Sequence, residues 1–215
     1  MTQTTGQSPW KTASFGGDNT GPLNDIRVLD MSRLVAGNMA SLQLADFGAE
    51  VIKIEPLPAG DPLRSWKQGG ETTFWKVYAR NKKSIGLDFR SSDFLDIMSG
   101  LIKTADVLIE NFRPGTLEKM GLGLDRLHAL NPGLILLRVS GFGQTGPYAP
   151  RPGYDFIVQG MSGMMDLTGM PDGPPIKLGM AYADILTGLY GVIGIQAALH
   201  ERERTGRGQH VDLAL

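Results

Sequence analysis

Short apolar runs recur along the chain, separated by stretches whose apolar residues fall at helical spacing. Ile26-Arg27-Val28-Leu29-Asp30 is short and apolar, which predicts a buried strand. Ser32 to Gly37 reads as a small-residue loop. Met39 to Phe47 has helical periodicity, and Gly48 is placed to stop that helix. Glu50-Val51-Ile52-Lys53-Ile54 predicts the next strand. Strand, helix and strand in so short a span make a βαβ unit, which requires a parallel sheet.

The rhythm then breaks. Glu55 to about Lys83 is interrupted by Pro56, Pro58, Gly60, Pro62, Gly69 and Gly70 and reads as irregular. Ser84 to Asp88 predicts a strand, and Ser92 a cap for a helix running to about Thr104. Asp106 to Glu110 predicts another strand. Leu124, Leu127 and Leu130 mark a short helix ended by Asn131-Pro132, and Leu134 to Ser140 is a strongly apolar strand. Gly141 to Pro175 is dense in Gly, Pro and Met. From Asp184 to about Arg204 the chain is helical, with Gly188, Gly191, Gly194 and Ala198 near one face where another backbone can approach. Gly206 ends this helix, and Gln209 to Leu215 predicts a last strand. The expected fold class is α/β, a Rossmann-like parallel sheet domain with flanking helices over residues 22–215. Residues 1–21, polar and rich in Thr, Gly and Ser, are expected to be a flexible leader.

Charge and composition narrow the partners. Lys plus Arg total 21 against 22 for Asp plus Glu, so nothing points to nucleic acid or an anionic membrane surface. There is no cysteine, which excludes a disulfide scaffold and a thiol nucleophile. No apolar run is expected to reach the ~18–20 residues of a membrane span. The first residues lack the charged and apolar regions of a signal peptide, so cytoplasm is the default location. The histidines, His128, His200 and His210, have no ligand spacing, and no metal site is expected.

Gly141-Phe142-Gly143-Gln144-Thr145-Gly146 matches the dinucleotide-binding pattern G-x-G-x-x-G and follows a strand. That pattern works only where a helix opens against the pyrophosphate. Pro147, Pro150 and Pro152 block such a helix here, so the match is set aside.

Two other groupings carry candidate chemistry. Arg80-Asn81-Lys82-Lys83 leads to Arg90, and Glu110-Asn111-Phe112-Arg113-Pro114-Gly115 follows a strand end, with Lys119 soon after. Ligands of parallel α/β sheets bind at such strand ends, and these residues could hold a nucleotide. The plainer alternative is a solvated basic face with a buried Phe. Asp184 stands where a helix opens after a Gly-rich loop. It is either a cap or a nucleophile kept ionised by the helix dipole.

In this order and spacing, four blocks resemble the class III CoA-transferases, the CaiB/BaiF family. The first runs from Leu29-Asp30-Met31-Ser32-Arg33-Leu34-Val35-Ala36-Gly37 into Phe47-Gly48-Ala49-Glu50-Val51-Ile52-Lys53-Ile54-Glu55-Pro56. The second joins Asn81-Lys82-Lys83-Ser84-Ile85 and Arg90 to Glu110-Asn111-Phe112-Arg113-Pro114-Gly115. The third is Ser140-Gly141-Phe142-Gly143-Gln144 with Arg151-Pro152-Gly153-Tyr154-Asp155. The fourth is Ala183-Asp184 with Ala197-Ala198-Leu199-His200-Glu201-Arg202 and Thr205-Gly206-Arg207-Gly208-Gln209.

The resemblance implies a nucleophilic Asp184. It implies CoA contacts on or beside Leu34, Leu87, Arg90, Asn111, Phe112 and Lys119, and a second acidic position at Asp155. Val35 and Pro56 depart from a glutamine and an arginine carried by some members, which suggests a branch other than the formyl-CoA enzymes. The implied reaction moves CoA from an acyl-CoA to a carboxylic acid through an aspartyl anhydride and an aspartyl-CoA thioester. Backbone N–H groups of the Gly-rich segments are expected to stabilise the oxyanions. No metal or redox cofactor is implied; the CoA thioester is substrate. The α-methylacyl-CoA racemases are similar, but their acid–base histidine falls on Tyr154. A phenol, with a reference pKa near 10, is a poor exchange for an imidazole near 6.5. The resemblance also implies an interlocked homodimer. The small domain and C-terminal return of the family are absent from these 215 residues, so a CoA-binding piece without turnover is the further alternative.

Overall fold

The structure is a computed structural model describing residues 21–215. The expected leader lies outside the described residues except for Gly21. That residue is packed: a Cβ built on it would sit 2.2 Å from the Phe47 carbonyl oxygen.

Six strands form one sheet: β1 (Arg27–Asp30), β2 (Glu50–Pro56), β3 (Lys82–Leu87), β4 (Val107–Glu110), β5 (Ile135–Ser140) and β6 (His210–Ala214). The order is β3-β2-β1-β4-β5-β6, and every pairing is parallel. This is the doubly wound arrangement, in which the chain reverses direction between β1 and β4. Among the described residues seven helices accompany it: α1 (Ala36–Asp46), α2 (Thr73–Tyr78), α3 (Phe94–Ile102), α4 (Thr116–Lys119), α5 (Leu124–Leu130), α6 (Asp155–Met161) and α7 (Tyr182–Thr205).

Both sheet faces are covered, as parallel strands demand. On one face Val28, Val107, Ile109, Leu137 and Val139 pack with Ala40 and Leu44 of α1 and Val192, Ile195 and Leu199 of α7. On the other, Leu29, Ile54, Leu108 and Leu136 pack with Phe94, Met98 and Ile102 of α3 and Leu127 of α5.

The glycine face of α7 makes its layer possible. A Cβ at Gly188 would lie 2.7 Å from both the Ala36 carbonyl oxygen and Met39 Cβ, and one at Gly191 would lie 2.9 Å from Leu137 Cδ2. Backbone can therefore press on backbone. Gly206, at φ 70, closes the helix as expected.

Several expectations need correction. The irregular stretch contains α2 and a 3-10 turn over Pro62–Ser65, and the Gly-, Pro- and Met-rich stretch contains α6. The helix after β1 begins at Ala36 rather than Met39, and β3 begins at Lys82 rather than Ser84. Ser92 is not the cap of α3. Asp93 occupies that position without a side-chain capping bond, and the Ser92 hydroxyl donates to Asp93 Oδ1 at 3.0 Å. Finally, α7 is 24 residues with mean hydropathy 1.3 over an 18-residue window, enough by length and composition to cross a membrane. Its Thr187, Gly191, Ile195 and Ala198 are buried in the domain core, which accounts for that apolar face.

Candidate active site

The C-terminal ends of β1 and β4 diverge at the point of chain reversal, where doubly wound sheets bind ligands. A cleft of about 440 Å³ opens there. Arg33, Leu34 and Val35 from the turn after β1 form one wall, and Asn111, Phe112 and Arg113 from the turn after β4 form another. Gly153, Tyr154 and Asp184 complete the site. Strands far apart in sequence thus bring Leu34, Asn111, Phe112 and Asp184 to one opening.

The β1 turn is built with strain and held from several sides. Leu34 has φ 63, an uncommon conformation for a residue with a branched side chain. Its N–H donates to Asp61 Oδ1 at 3.2 Å, and Asn38 Nδ2 donates to its carbonyl at 2.6 Å. Asn111 clamps the preceding residue from the other wall. Its Oδ1 accepts the Arg33 N–H at 2.8 Å, and its Nδ2 donates to the Arg33 carbonyl at 2.7 Å.

Beneath this turn lies a buried polar cluster that the apolar reading of the strands did not anticipate. Lys53 Nζ contacts Asp30 at 3.3 Å and Asp61 at 3.1 Å, and it donates to the Ser32 carbonyl. Lys82 Nζ reaches Asp30 at 3.3 Å, Asn38 Oδ1 at 3.1 Å and Ser41 at 2.7 Å. Burial alone would raise the Asp30 carboxyl. Lys53, Lys82 and the Ser32 and Ser41 hydroxyls overcome it and hold the group at about 2. Burial lowers Lys82 to about 8, against the pull of Asp30. A lysine inside the apolar strand Glu50–Pro56 was the readable signal, because a buried ammonium requires partners.

Asp184 sits in the first turn of α7, and it is not the cap. The cap position is Ala181, with no side-chain bond. Asp155 at the head of α6 supplies the acceptor instead: its Oδ1 takes the N–H of Ala183 at 2.8 Å and of Asp184 at 3.3 Å. Burial, then the charge of Asp155, pushes the Asp184 carboxyl up to about 7. Burial and the charge of Asp155 thus oppose the ionisation that the helix dipole favours. One turn of helix N-terminus is outweighed by desolvation and a neighbouring carboxylate.

The remaining expected CoA contacts do not line this cleft. Leu87 is buried with Phe94 and Met98 in the core. Arg90 is exposed in a turn where its N–H donates to Asp88 Oδ1 at 2.9 Å. Lys119 is exposed at the end of α4, whereas Thr116 and Met120 beside it face the cleft.

Conversely, Arg33 and Arg151 line the opening without having been singled out. Arg151 stacks on Tyr148 with its guanidinium carbon 4.1 Å from the ring centre. The loop carrying both is pinched at its base. A Cβ on Gly141 would lie 2.5 Å from Gly153 Cα, so only two glycines allow the contact. No helix follows Gly141-Phe142-Gly143-Gln144-Thr145-Gly146 until α6, which agrees with setting the dinucleotide pattern aside. Among the described residues no group of three or more His, Asp or Glu is placed to hold a metal.

The sequence matches the profile of CoA-transferase family III over residues 23–215. It is 49% identical over 197 residues to the succinyl-CoA–D-citramalate CoA-transferase of Chloroflexus aurantiacus, covering 90% of this chain and 49% of that protein. It is 48% identical over 203 residues to the succinate–glutarate CoA-transferase of Agrobacterium fabrum, covering 90% of this chain and 51% of that one. The crystal structure of a CaiB/BaiF family protein from Brucella suis superposes with a TM-score of 0.86 at 48% identity, covering 90% of this chain and 53% of that one. The chain thus spans about half the length of the curated relatives it matches. Sequence and overall fold agree, and the chain belongs to CoA-transferase family III.

Proposed function

We propose that this chain carries the nucleophile and part of the CoA site of an enzyme that transfers CoA between an acyl-CoA and a carboxylic acid. One observation carries the reading. Asp184 lines the cleft at the sheet's reversal point, its carboxyl raised to about 7 by burial and Asp155, with no side-chain hydrogen-bond donor to that carboxyl among the described residues. A desolvated carboxylate of raised basicity is a stronger nucleophile than one on the surface. The relatives' names, with succinyl-CoA, citramalate and glutarate in them, support dicarboxylic acids as the substrate class. The rest of the polypeptide and an interlocked homodimer would complete the site.

An Asp184 oxygen attacks the thioester carbonyl, the C–S bond breaks, and CoA leaves as thiolate. The product is a mixed anhydride of Asp184 and the donor acid. The thiolate then attacks the aspartyl carbonyl, expels the donor carboxylate and leaves an aspartyl-CoA thioester. The acceptor carboxylate attacks that thioester, and the same two steps in reverse produce the new acyl-CoA and free Asp184. Splitting one exchange into four acyl transfers lowers each barrier. Leu34, Phe112 and the Asn111-clamped turn would flank the pantetheine arm. Tyr154 stands at the cleft in the place where the resemblance puts a racemase histidine, and no observation favours that alternative.

The test is intact-mass spectrometry of the full-length protein incubated with succinyl-CoA. A CoA-sized gain on wild type that is lost in Asp184→Asn is expected. A gain that persists in the variant assigns the nucleophile elsewhere and overturns the reading.

A further inference from the structure

We propose that Gln159 is a positioning residue for Asp184, acting through the Asp155 carboxylate to fix both the orientation and the charge state of the nucleophile. The proposal rests on the reading of Asp184 given above.

Gln159 lies on α6 four residues after Asp155, on the same helix face, and is fully buried. Its amide has three partners. Nε2 donates to Asp155 Oδ2 at 2.6 Å and to the Met180 carbonyl at 3.3 Å, and Oε1 accepts the Leu178 N–H at 3.0 Å. The other Asp155 oxygen accepts the two N–H groups that open α7. One side chain therefore ties α6, the segment entering α7 and the carboxylate that caps α7. Removing it would loosen Asp184 at both its helix and its approach.

The choice of an amide has a second consequence. A neutral donor satisfies Asp155 without cancelling its charge, and that charge acts on Asp184. A lysine or arginine here would neutralise Asp155 and leave Asp184 a weaker base. Among the described residues, the titratable and charged groups near Asp184 besides Asp155 include Tyr78 of α2 and, on the cleft walls, Arg33, Arg113, Arg151 and Tyr154. Lys177 is turned onto the Leu178 carbonyl at 2.6 Å and the Met180 carbonyl at 3.5 Å.

The experiment uses full-length protein with ¹³C-carboxyl-labelled aspartate and follows the Asp184 titration by NMR, its resonance identified by Asp184→Asn. The acid limb of CoA-adduct formation from succinyl-CoA is measured in parallel. In Gln159→Leu, Asp155 Oδ2 loses its donor, and the carboxylate is no longer held against the head of α7 beside Asp184. The Asp184 midpoint and the acid limb are then expected to move down by about half a unit or more. The plateau rate should fall about tenfold as the nucleophile loses its register. In Gln159→Glu, the protonated acid still donates to Asp155 and accepts from Leu178, so the midpoint should stay at or above the wild-type value. Folding of both is checked by circular dichroism. A midpoint unmoved in Gln159→Leu, whatever happens to the plateau, overturns the proposal. If Gln159→Leu does not fold, a midpoint below wild type in Gln159→Glu overturns it. Wild type that takes up no CoA defeats the nucleophile reading instead, and the NMR titration still decides whether Gln159 sets the charge of Asp184.

Discussion

Asp155 Oδ1 accepts the N–H of Asp184 at 3.3 Å, so one carboxylate organises the helix turn that presents another. The two acids divide the work. Asp155 is 7% exposed, with donors on both oxygens, whereas Asp184 faces the cleft and is raised to about 7. Their adjacency has a measurable consequence for pH dependence.

In the proposed reaction only ionised Asp184 attacks a thioester. Adduct formation from an acyl-CoA should rise about tenfold per unit while pH is well below 7 and level off above it. Asp155→Asn removes the neighbouring charge and should carry the acid limb to lower pH. Quenched-flow mass spectrometry between pH 5 and 8.5, a range of about three units around the midpoint, measures both profiles. A limb that stays at the same pH in Asp155→Asn would show that burial alone sets the value.

Asn111→Ala releases Arg33 from its two-bond clamp. Losing these partly exposed bonds should cost about 1 kcal/mol of stability. The strained Leu34 turn should then sample other conformations, raising KM for acyl-CoA roughly fivefold, about 1 kcal/mol of binding. The kcat should change little, because Asp184 is on another wall. Steady-state kinetics separate the two parameters, and a fall confined to kcat would contradict the assignment.

Asp30→Asn leaves Lys53 and Lys82 buried with one carboxylate fewer. Unfolding in urea should show a loss of about 3–5 kcal/mol, the usual result of breaking a buried ion cluster on one side. The wild-type pH dependence has a definite sign. The folded Asp30 value, about 2, lies below the ordinary aspartate value of 3.8. Its contribution is therefore present above the unfolded value and is lost as pH falls through about 2. A difference of roughly 2 units corresponds to about 2–3 kcal/mol. An Asp30→Asn protein as stable as wild type at neutral pH would show that the cluster does not support the fold.

Gly188→Val should destabilise by about 2–3 kcal/mol, because its branches would meet the Ala36 carbonyl and Met39 where α1 crosses α7. Gly100→Ala in α3 is the contrasting case. It meets nothing within 4 Å and should stabilise by about 0.5–1 kcal/mol through helix propensity. Thermal melts of the two variants should move in opposite directions.

The strands and the glycine face of α7 were legible because periodicity and small residues state directly what packs where. Asp184 was legible as a position, through the motif order, but its environment was not. Its raised value depends on Asp155, 29 positions earlier, and on burial that no local window reports. Leu87, Arg90 and Lys119 lie close in sequence to cleft residues Phe89 and Met120, yet face elsewhere. In a strand or turn, neighbours a residue apart point in different directions. Three helices, α4 (Thr116–Lys119) among them, were hidden for a simpler reason. α2, α4 and α6 are one to two turns long between glycines and prolines, where tertiary packing decides helicity and composition argues against it.

The pinch between Gly141 and Gly153 separates a loop's geometry from its length. Ser140 and Tyr154 flank the crossing at the loop's base, so the eleven residues between the two glycines form a closed excursion, tethered at one further point where the Gln144 N–H donates to Asp212 Oδ2 at 3.0 Å. Evolution can therefore lengthen, shorten or recharge the segment carrying Tyr148 and Arg151 without disturbing the carboxylate pair behind it. If the proposed transfer holds, a residue inserted between Thr145 and Gly146 should leave the melting temperature nearly unchanged while altering which acids compete for the CoA.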